Sequence, residues 1–316
     1  MSLILIPIAT QMGDSLEFVC EVQDIMIAAS DPLVEMLRPE RLTAIVDIGA
    51  NPLSSDGEPP YRQMLAKRLC TVVGFEPQPD AHAELNQKKG DLEAYLPYAV
   101  GDGSVGILKV CRARGMSSLL SPDPRSLSLF PGFLDYGQVI QEIPVETRTL
   151  DSIDEIREID LLKIDVQGQE LSVFLNGRSR LSNAVALQTE VSFVPLYLRQ
   201  PVFGEIDLAL RGFGFIPHMF VNLNKRMILP IHDSARPFAS MNQLLEADIV
   251  YVRDFTQPER MSAEQLKQLA LISHHCYASY DLAANCIHRL IERKVAPPGS
   301  VEQYLSIIAQ AGAAPD

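Results

Sequence analysis

The sequence is short of the features that would assign it quickly. Its five cysteines, Cys20, Cys70, Cys111, Cys276 and Cys286, are odd in number, scattered and without a CxxC pair, which argues against a disulfide framework or a zinc site. They read as reduced, mostly buried thiols. Positive charge is also scarce. Lys and Arg total 27 against 40 Asp and Glu, a formal charge of -13 that weighs against a bulk electrostatic grip on nucleic acid or on an anionic membrane. No apolar run reaches the roughly 20 residues needed to span a bilayer, and the apolar start Met1 to Ile8 has neither a basic flank nor a small-residue cleavage site. A cytoplasmic protein is expected. A GxGxxG turn is missing too, although a strand, a glycine and a distant acid are all present.

What is there describes a globular chain. With 47% hydrophobic and 21% charged residues over 316 positions, it can bury a substantial core in one large domain or two modest ones. Short apolar runs alternate with helical patterns from about Ala44 to Phe255. Ala44 to Ile48 and Cys70 to Phe75 read as strands, Glu93 to Val100 as a third, and Gly106 to Cys111 as its hairpin partner. YRQMLAKRL and PDAHAELNQKKG read as the helices between the first three. Ile159 to Asp165, Ala184 to Val191, GFIPHMFVNL and ADIVYVRDF continue the series, with QELSVFLNGRSRL and GEIDLALRGFG as helices. This β-α-β order predicts a parallel sheet with helices on both faces.

Such sheets bind ligands beyond the carboxyl ends of their strands, and Glu76, Asp165 and Glu190 fall at or just past three such ends. Glu76 stands where doubly wound proteins place an acid for the two ribose hydroxyls. Asp102, in AVGDGS, is placed either to reach an adenine amine or simply to form an Asp-Gly turn.

VDIGAN (Val46 to Asn51), GFEPQP (Gly74 to Pro79), TLDSI (Thr149 to Ile153), DLLKIDVQGQE (Asp160 to Glu170), then NGRSRL, LQTEVSF and RGFGF, in this order, resemble the FkbM family of S-adenosylmethionine-dependent methyltransferases. The resemblance implies a Rossmann-like class I methyltransferase fold, a mostly parallel seven-stranded sheet whose last strand, ADIVYVRDF, runs antiparallel. It implies that Asp47, Gly49 and Asn51 form the first cofactor motif, that Glu76 holds the ribose and Asp102 the adenine, and that Ser118 of GMSSLL lies near the cofactor. It places Asp165 beside the reacting methyl group. It also implies O-methylation of a hydroxyl on a sugar, glycolipid or related small molecule, for which Asp165, Glu190 and His218 are the base candidates. Lys163 is expected to pair with a neighbouring acid.

Two departures stand out. The family's IDVEG is IDVQG here, with Gln167 in place of an acid, and its VDVGANVG gives way to Pro52 and an insertion resembling a branch with DIGANP…DGxPPY. They keep open a non-catalytic binding protein of methyltransferase shape, and a dinucleotide-dependent oxidoreductase is the further alternative. SFVPLYLRQPVFGE has the composition of a substrate cover, with Phe193, Tyr197, Phe203 and Arg199 offering stacking surface and charge.

Three segments follow: a cap over residues 1–43, the core over 44–257, and a helical extension over 258–316. In the extension, Leu266, Leu269, Ile272, Cys276, Tyr280, Ala283, Ile287 and Leu290 form one stripe on a bent helix or two, fit for packing or for homo-oligomer formation. His274, His275, Cys276, Cys286 and His288 lack metal-ligand spacing, so no metal is expected.

Overall fold

A computed structural model describes residues 31–50, 58–231, 233, 240–310 and 312. Met1 to Ile8 and Asn51 to Gly57, with Pro52 among them, lie outside the described residues.

Among the described residues, ten strands form two sheets: β1 (Thr43–Ile48), β2 (Cys70–Phe75), β3 (Glu93–Leu96), β4 (Ala99–Val100), β5 (Val105–Cys111), β6 (Val139–Arg148), β7 (Leu161–Ile164), β8 (Ala186–Ser192), β9 (Phe215–Arg226) and β10 (Gln243–Arg253). The helices are α1 (Pro32–Leu37), α2 (Arg62–Ala66), α3 (Pro79–Lys88), α4 (Pro124–Leu127), α5 (Phe133–Tyr136), α6 (Glu170–Leu175), α7 (Arg178–Leu181), α8 (Phe203–Gly212), α9 (Ala263–Tyr277), α10 (Tyr280–Glu292) and α11 (Ser300–Gln310).

The main sheet has seven strands in the order β3-β2-β1-β7-β8-β10-β9. The first five are mutually parallel, and β10 runs antiparallel to both of its neighbours. Apart from Asp47 and Lys163, the residues of Ile45–Ile48 and Leu161–Ile164 are apolar and buried on both faces because helices cover both, as parallel sheets require. On one face β1, β2, β8 and β10 share a cluster with α1, α2 and α9 to α11; on the other, Val173, Phe174, Leu181, Ile206 and Leu210 from α6 to α8 fill the gap. Each Leu or Ile fully withdrawn from water there contributes about 1.5–3 kcal/mol.

The C-terminal stripe is used within the chain. Leu266, Leu269, Ile272, Ala283, Ile287 and Leu290 are all buried against the sheet. The long helical pattern is two helices, divided where Ala278 takes a left-handed conformation at φ 50.

One expectation fails. Glu93 to Val100 does not continue as a single strand with Gly106 to Cys111 as its hairpin partner. Pro97, which has no N–H to donate, follows β3, and β4 leaves for a second sheet of order β4-β6-β5. The partner of β5 is β6, a strand the sequence pattern hid. Most of its residues are exposed, so alternation is weak, and Pro144 interrupts it opposite Ile107. Proline is tolerated there because β4 reaches β6 only at Thr147 and Arg148.

Candidate active site

A cavity of about 1140 Å³ opens at the carboxyl ends of β1, β2, β7 and β8. It exceeds the roughly 300–1,000 Å³ of an ordinary small-molecule site, so it has room for two reactants. The inserted segment between β3 and β7 closes it from above, through Leu108, Arg114, Met116, Ser118 and Phe133.

At the centre, strand register lines up polar groups. Asp47 lies opposite Lys163, and Lys163 opposite Gln188, across three parallel strands. Lys163 Nζ stands 3.1 Å from Asp47 Oδ1, the ion pair expected of it, and the Tyr61 hydroxyl donates to Asp47 Oδ2 at 2.6 Å. Burial alone would lower the Lys163 ammonium, but Asp47 and Asp165 outweigh it and hold the pKa above its usual value. Burial, then Asp47, pushes the Tyr61 phenol well up, so it keeps its proton and remains a donor. Asp47 therefore has both oxygens engaged by the chain itself.

Gly49 begins the turn after β1 at φ +80, and its N–H donates to Phe75 O at 3.0 Å. A Cβ at this position would lie 2.0 Å from the Asp165 carbonyl oxygen. Only glycine lets the β1 and β7 ends approach so closely.

Glu76 follows β2 and is 3% exposed, with Gln78 N donating to Oε1 at 2.7 Å. Burial raises its carboxyl to about 7, the Gln78 amide opposing the shift. One carboxyl oxygen is thus engaged in a wall that otherwise offers Phe75, Pro77 and Tyr98.

The opposite end is crowded with acids. Gln167 Nε2 lies 2.7 Å from Asp165 Oδ1 and 3.1 Å from Glu190 Oε2. Glu190 is opposite Asp248 across β8 and β10, and Glu246 is opposite Ser192. Burial, then Asp165, Glu246 and other acids, pushes the Glu190 carboxyl well above its usual range. Glu170 is raised to about 7, first by burial, although Val166 N and Gly168 N both donate to its Oε1.

Asp47, Gly49, Glu76, Ser118, Asp165 and Glu190 all line this one cavity. Ser118 acts on the chain: its hydroxyl donates to Gln167 O at 2.7 Å and accepts from Leu120 N. Asn51 lies outside the described residues. Two expected residues are elsewhere. His218 Nε2 is 2.7 Å from Ser279 Oγ, where β9 meets the turn between α9 and α10, because the ring points to the face those helices cover. Asp102 is exposed and outside the cavity lining, and its Oδ1 accepts from Ser104 N and Oγ within the Asp-Gly turn. Of the substrate-cover residues, Tyr197 lines the cavity, whereas Phe193 packs on Phe203 and Arg199 is exposed.

Tyr61, Gln188, Glu246 and Asp248 were not anticipated. Glu246 and Asp248 could have been: their two-residue spacing in β10 sets both side chains on the same face. Among the described residues no three His, Cys, Asp or Glu side chains are set to hold a metal ion, and no helix is long and apolar enough to cross a membrane.

The family model for the methyltransferase FkbM domain matches residues 47–217, more than half of the chain. The chain belongs to the FkbM methyltransferase family. The matched region runs from Asp47 to Pro217, through the ends of β1, β2, β7 and β8, while Arg226, Glu246 and Asp248 of the cavity wall lie beyond it. The seven-stranded order with β10 reversed is the class I methyltransferase arrangement. Similar solved structures include magnesium protoporphyrin IX methyltransferase from Synechocystis PCC 6803 with bound SAM, at 12% identity and TM-score 0.35 over 71% of this chain and 77% of that one. A putative methyltransferase from Thermoplasma acidophilum gives 10% and 0.35 over 72% and 76%. The methyltransferase FkbM from Methylobacillus flagellatus KT gives 13% and 0.33 over 67% and 43%. No curated protein matches the sequence.

Proposed function

We propose that the protein transfers the methyl group of S-adenosylmethionine to a hydroxyl of a sugar, glycan or related small-molecule acceptor. The observation that carries this reading is Glu76, a buried carboxyl at the end of β2 in a cavity large enough for donor and acceptor together. When ionised, a carboxylate here accepts from two vicinal ribose hydroxyls. S-adenosylmethionine supplies a methyl group already activated on sulfur, so the chain has to align the acceptor and remove its proton.

The residues fit that division. Gly49 lets the β1 turn lie flat against the β7 end, leaving the methionine side of the cavity open. Asp165 and Glu190 stand at the other end as acids for the acceptor's proton. With the donor bound, Asp165 would take that proton as the O–H bond breaks, the hydroxyl oxygen taking the methyl carbon while the carbon–sulfur bond breaks and S-adenosylhomocysteine leaves. Glu190, its carboxyl pushed well above the usual range by burial and then by its acidic neighbours, orients the acceptor. The absence of phosphate-cradling glycines weighs against the dinucleotide alternative.

Calorimetry with S-adenosylmethionine, S-adenosylhomocysteine and NAD tests the reading. Binding of the first two alone is the expected result. Binding of NAD alone, or of none of them, would overturn it.

A further inference from the structure

Gln167 is a residue with a side chain held in the left-handed region, at φ +54, which costs of order 1 kcal/mol and persists only where the surroundings fix it. Those surroundings are visible. The Ser118 hydroxyl donates to its carbonyl at 2.7 Å, and the Tyr197 hydroxyl is 3.2 Å from its Oε1. With Oε1 facing a hydroxyl, the amide nitrogen is turned towards the acids. Its two hydrogens match two acceptors, Asp165 Oδ1 at 2.7 Å and Glu190 Oε2 at 3.1 Å. A carboxylate in the same place could only accept, and would set three acids against one another.

We propose that Gln167 is the positioning residue that ties Asp165 and Glu190 into one acid-base unit at the methyl-transfer end of the cavity. This rests on the methyl-transfer reading above and names the device by which that site handles its proton. Through the shared amide, the charge state of either acid is felt by the other, and both are held in one place while the acceptor's proton moves to Asp165.

The groups around the unit decide the sign of the test. Asp165 follows β7, Glu170 opens α6, Glu246 and Asp248 lie on β10, and the Tyr197 hydroxyl comes from the connector after β8. The cations on the cavity wall at this end are Lys163 on β7 and Arg226 on β9. Against so many acids, the amide hydrogens favour the ionised form of the pair, so removing them must raise its titration midpoint.

The experiment uses the full chain carrying 13C at its Glu side-chain carboxyls, saturated with S-adenosylhomocysteine and titrated by NMR, with Glu190 assigned through Glu190→Gln. Gln167→Met keeps the shape and loses both donors; the expected Glu190 midpoint rises by about one pH unit. Gln167→Glu should raise it further. Tyr197→Phe, which leaves residue 167 intact, frees the far end of its amide and gives up the 3.1 Å hydrogen bond to Met116 O, should shift it in the same direction by less. Calorimetric affinity for S-adenosylhomocysteine should stay within about threefold in all three, because one threefold step is under 1 kcal/mol. A midpoint unmoved in every variant that retains binding would overturn the role of Gln167 alone. Failure of the unaltered protein to bind S-adenosylhomocysteine would instead overturn the methyl-transfer reading, and this proposal with it.

Discussion

Acids mark the turns of both sheets, and the two sheets use them differently. In the seven-stranded sheet, Glu76, Asp165 and Glu190 stand at the ends of parallel strands that all point the same way, so their carboxyls converge on one cavity. In the three-stranded sheet, Asp102 follows β4 just as Glu76 follows β2. The strand after it returns antiparallel, and the acid spends itself on Ser104 and on the turn. A parallel sheet must leave its strand ends to be bridged by helices on the faces, which keeps the rim free for ligands; the tight turn that carries the chain from β4 past β6 to β5 uses its acid within itself.

The sharpest way to break the contrast is at Gly49. Gly49→Ala sets a Cβ 2.0 Å from the Asp165 carbonyl oxygen at a φ that favours glycine, and so wedges the β1 and β7 ends apart. A stability loss of about 3 kcal/mol is expected, together with loss of cofactor binding, measured by denaturant unfolding and calorimetry. Wild-type stability would mean that the rim adjusts and that close convergence is not what makes the site.

Glu76→Gln is next in size. It keeps the shape and removes the charge proposed to meet the ribose hydroxyls, so affinity for S-adenosylhomocysteine should fall roughly 10- to 100-fold at pH 8. The pH dependence sharpens this further. The Glu76 carboxyl is raised to about 7 in the fold, above its unfolded value, so its contribution to stability is fully present at low pH and is lost as pH rises through 7. The ligand-free protein should therefore lose melting temperature between about pH 4.5 and 7, while cofactor affinity rises through pH 7. Glu76→Gln should flatten the affinity curve and make the stability curve shallower by its own share, Glu170 being raised to about 7 as well. Unchanged slopes in the variant would mean that Glu76 does not titrate there.

The parts of the sheet that could be read in sequence were those where burial imposes a pattern. Thr43–Ile48, Cys70–Phe75 and Leu161–Ile164 are short apolar runs followed by an acid or a glycine, and the cavity-lining residues Asp47, Gly49 and Glu76 came with them. What was not legible depended on pairing between distant segments. β6 is exposed on most of its length and carries Pro144, so neither hydrophobicity nor alternation marks it. His218 lies on a strand whose two faces look alike in sequence; only the packing of α9 and α10 decides which side is covered. Glu246 and Asp248 were readable in spacing but not in partnership, because β10 reaches Glu190 only by reversing direction.

Tyr61→Phe probes the central row between the two ends. The variant leaves Asp47 with Lys163 as its partner and takes away a 2.6 Å hydrogen bond to a buried carboxylate. A loss of about 2 kcal/mol in stability is expected, with cofactor affinity reduced less than by Glu76→Gln. Equal losses of affinity would make Asp47 and its partners part of the cofactor's own contacts.

The smallest effect belongs to Asp102, and it is the one that tests the comparison from the other side. The side chain is exposed, and its hydrogen bonds to Ser104 stay within the turn, with a long contact to the Thr147 hydroxyl at 3.5 Å. Those hydrogen bonds, Ser104 first, hold its carboxyl below the usual range. Asp102→Ala should cost about 0.5 kcal/mol or less and leave affinity for S-adenosylhomocysteine unchanged by calorimetry. A tenfold loss of affinity would mean that the three-stranded sheet swings this turn onto the cofactor when it binds, and that both sheets, not one, supply acids to the cavity.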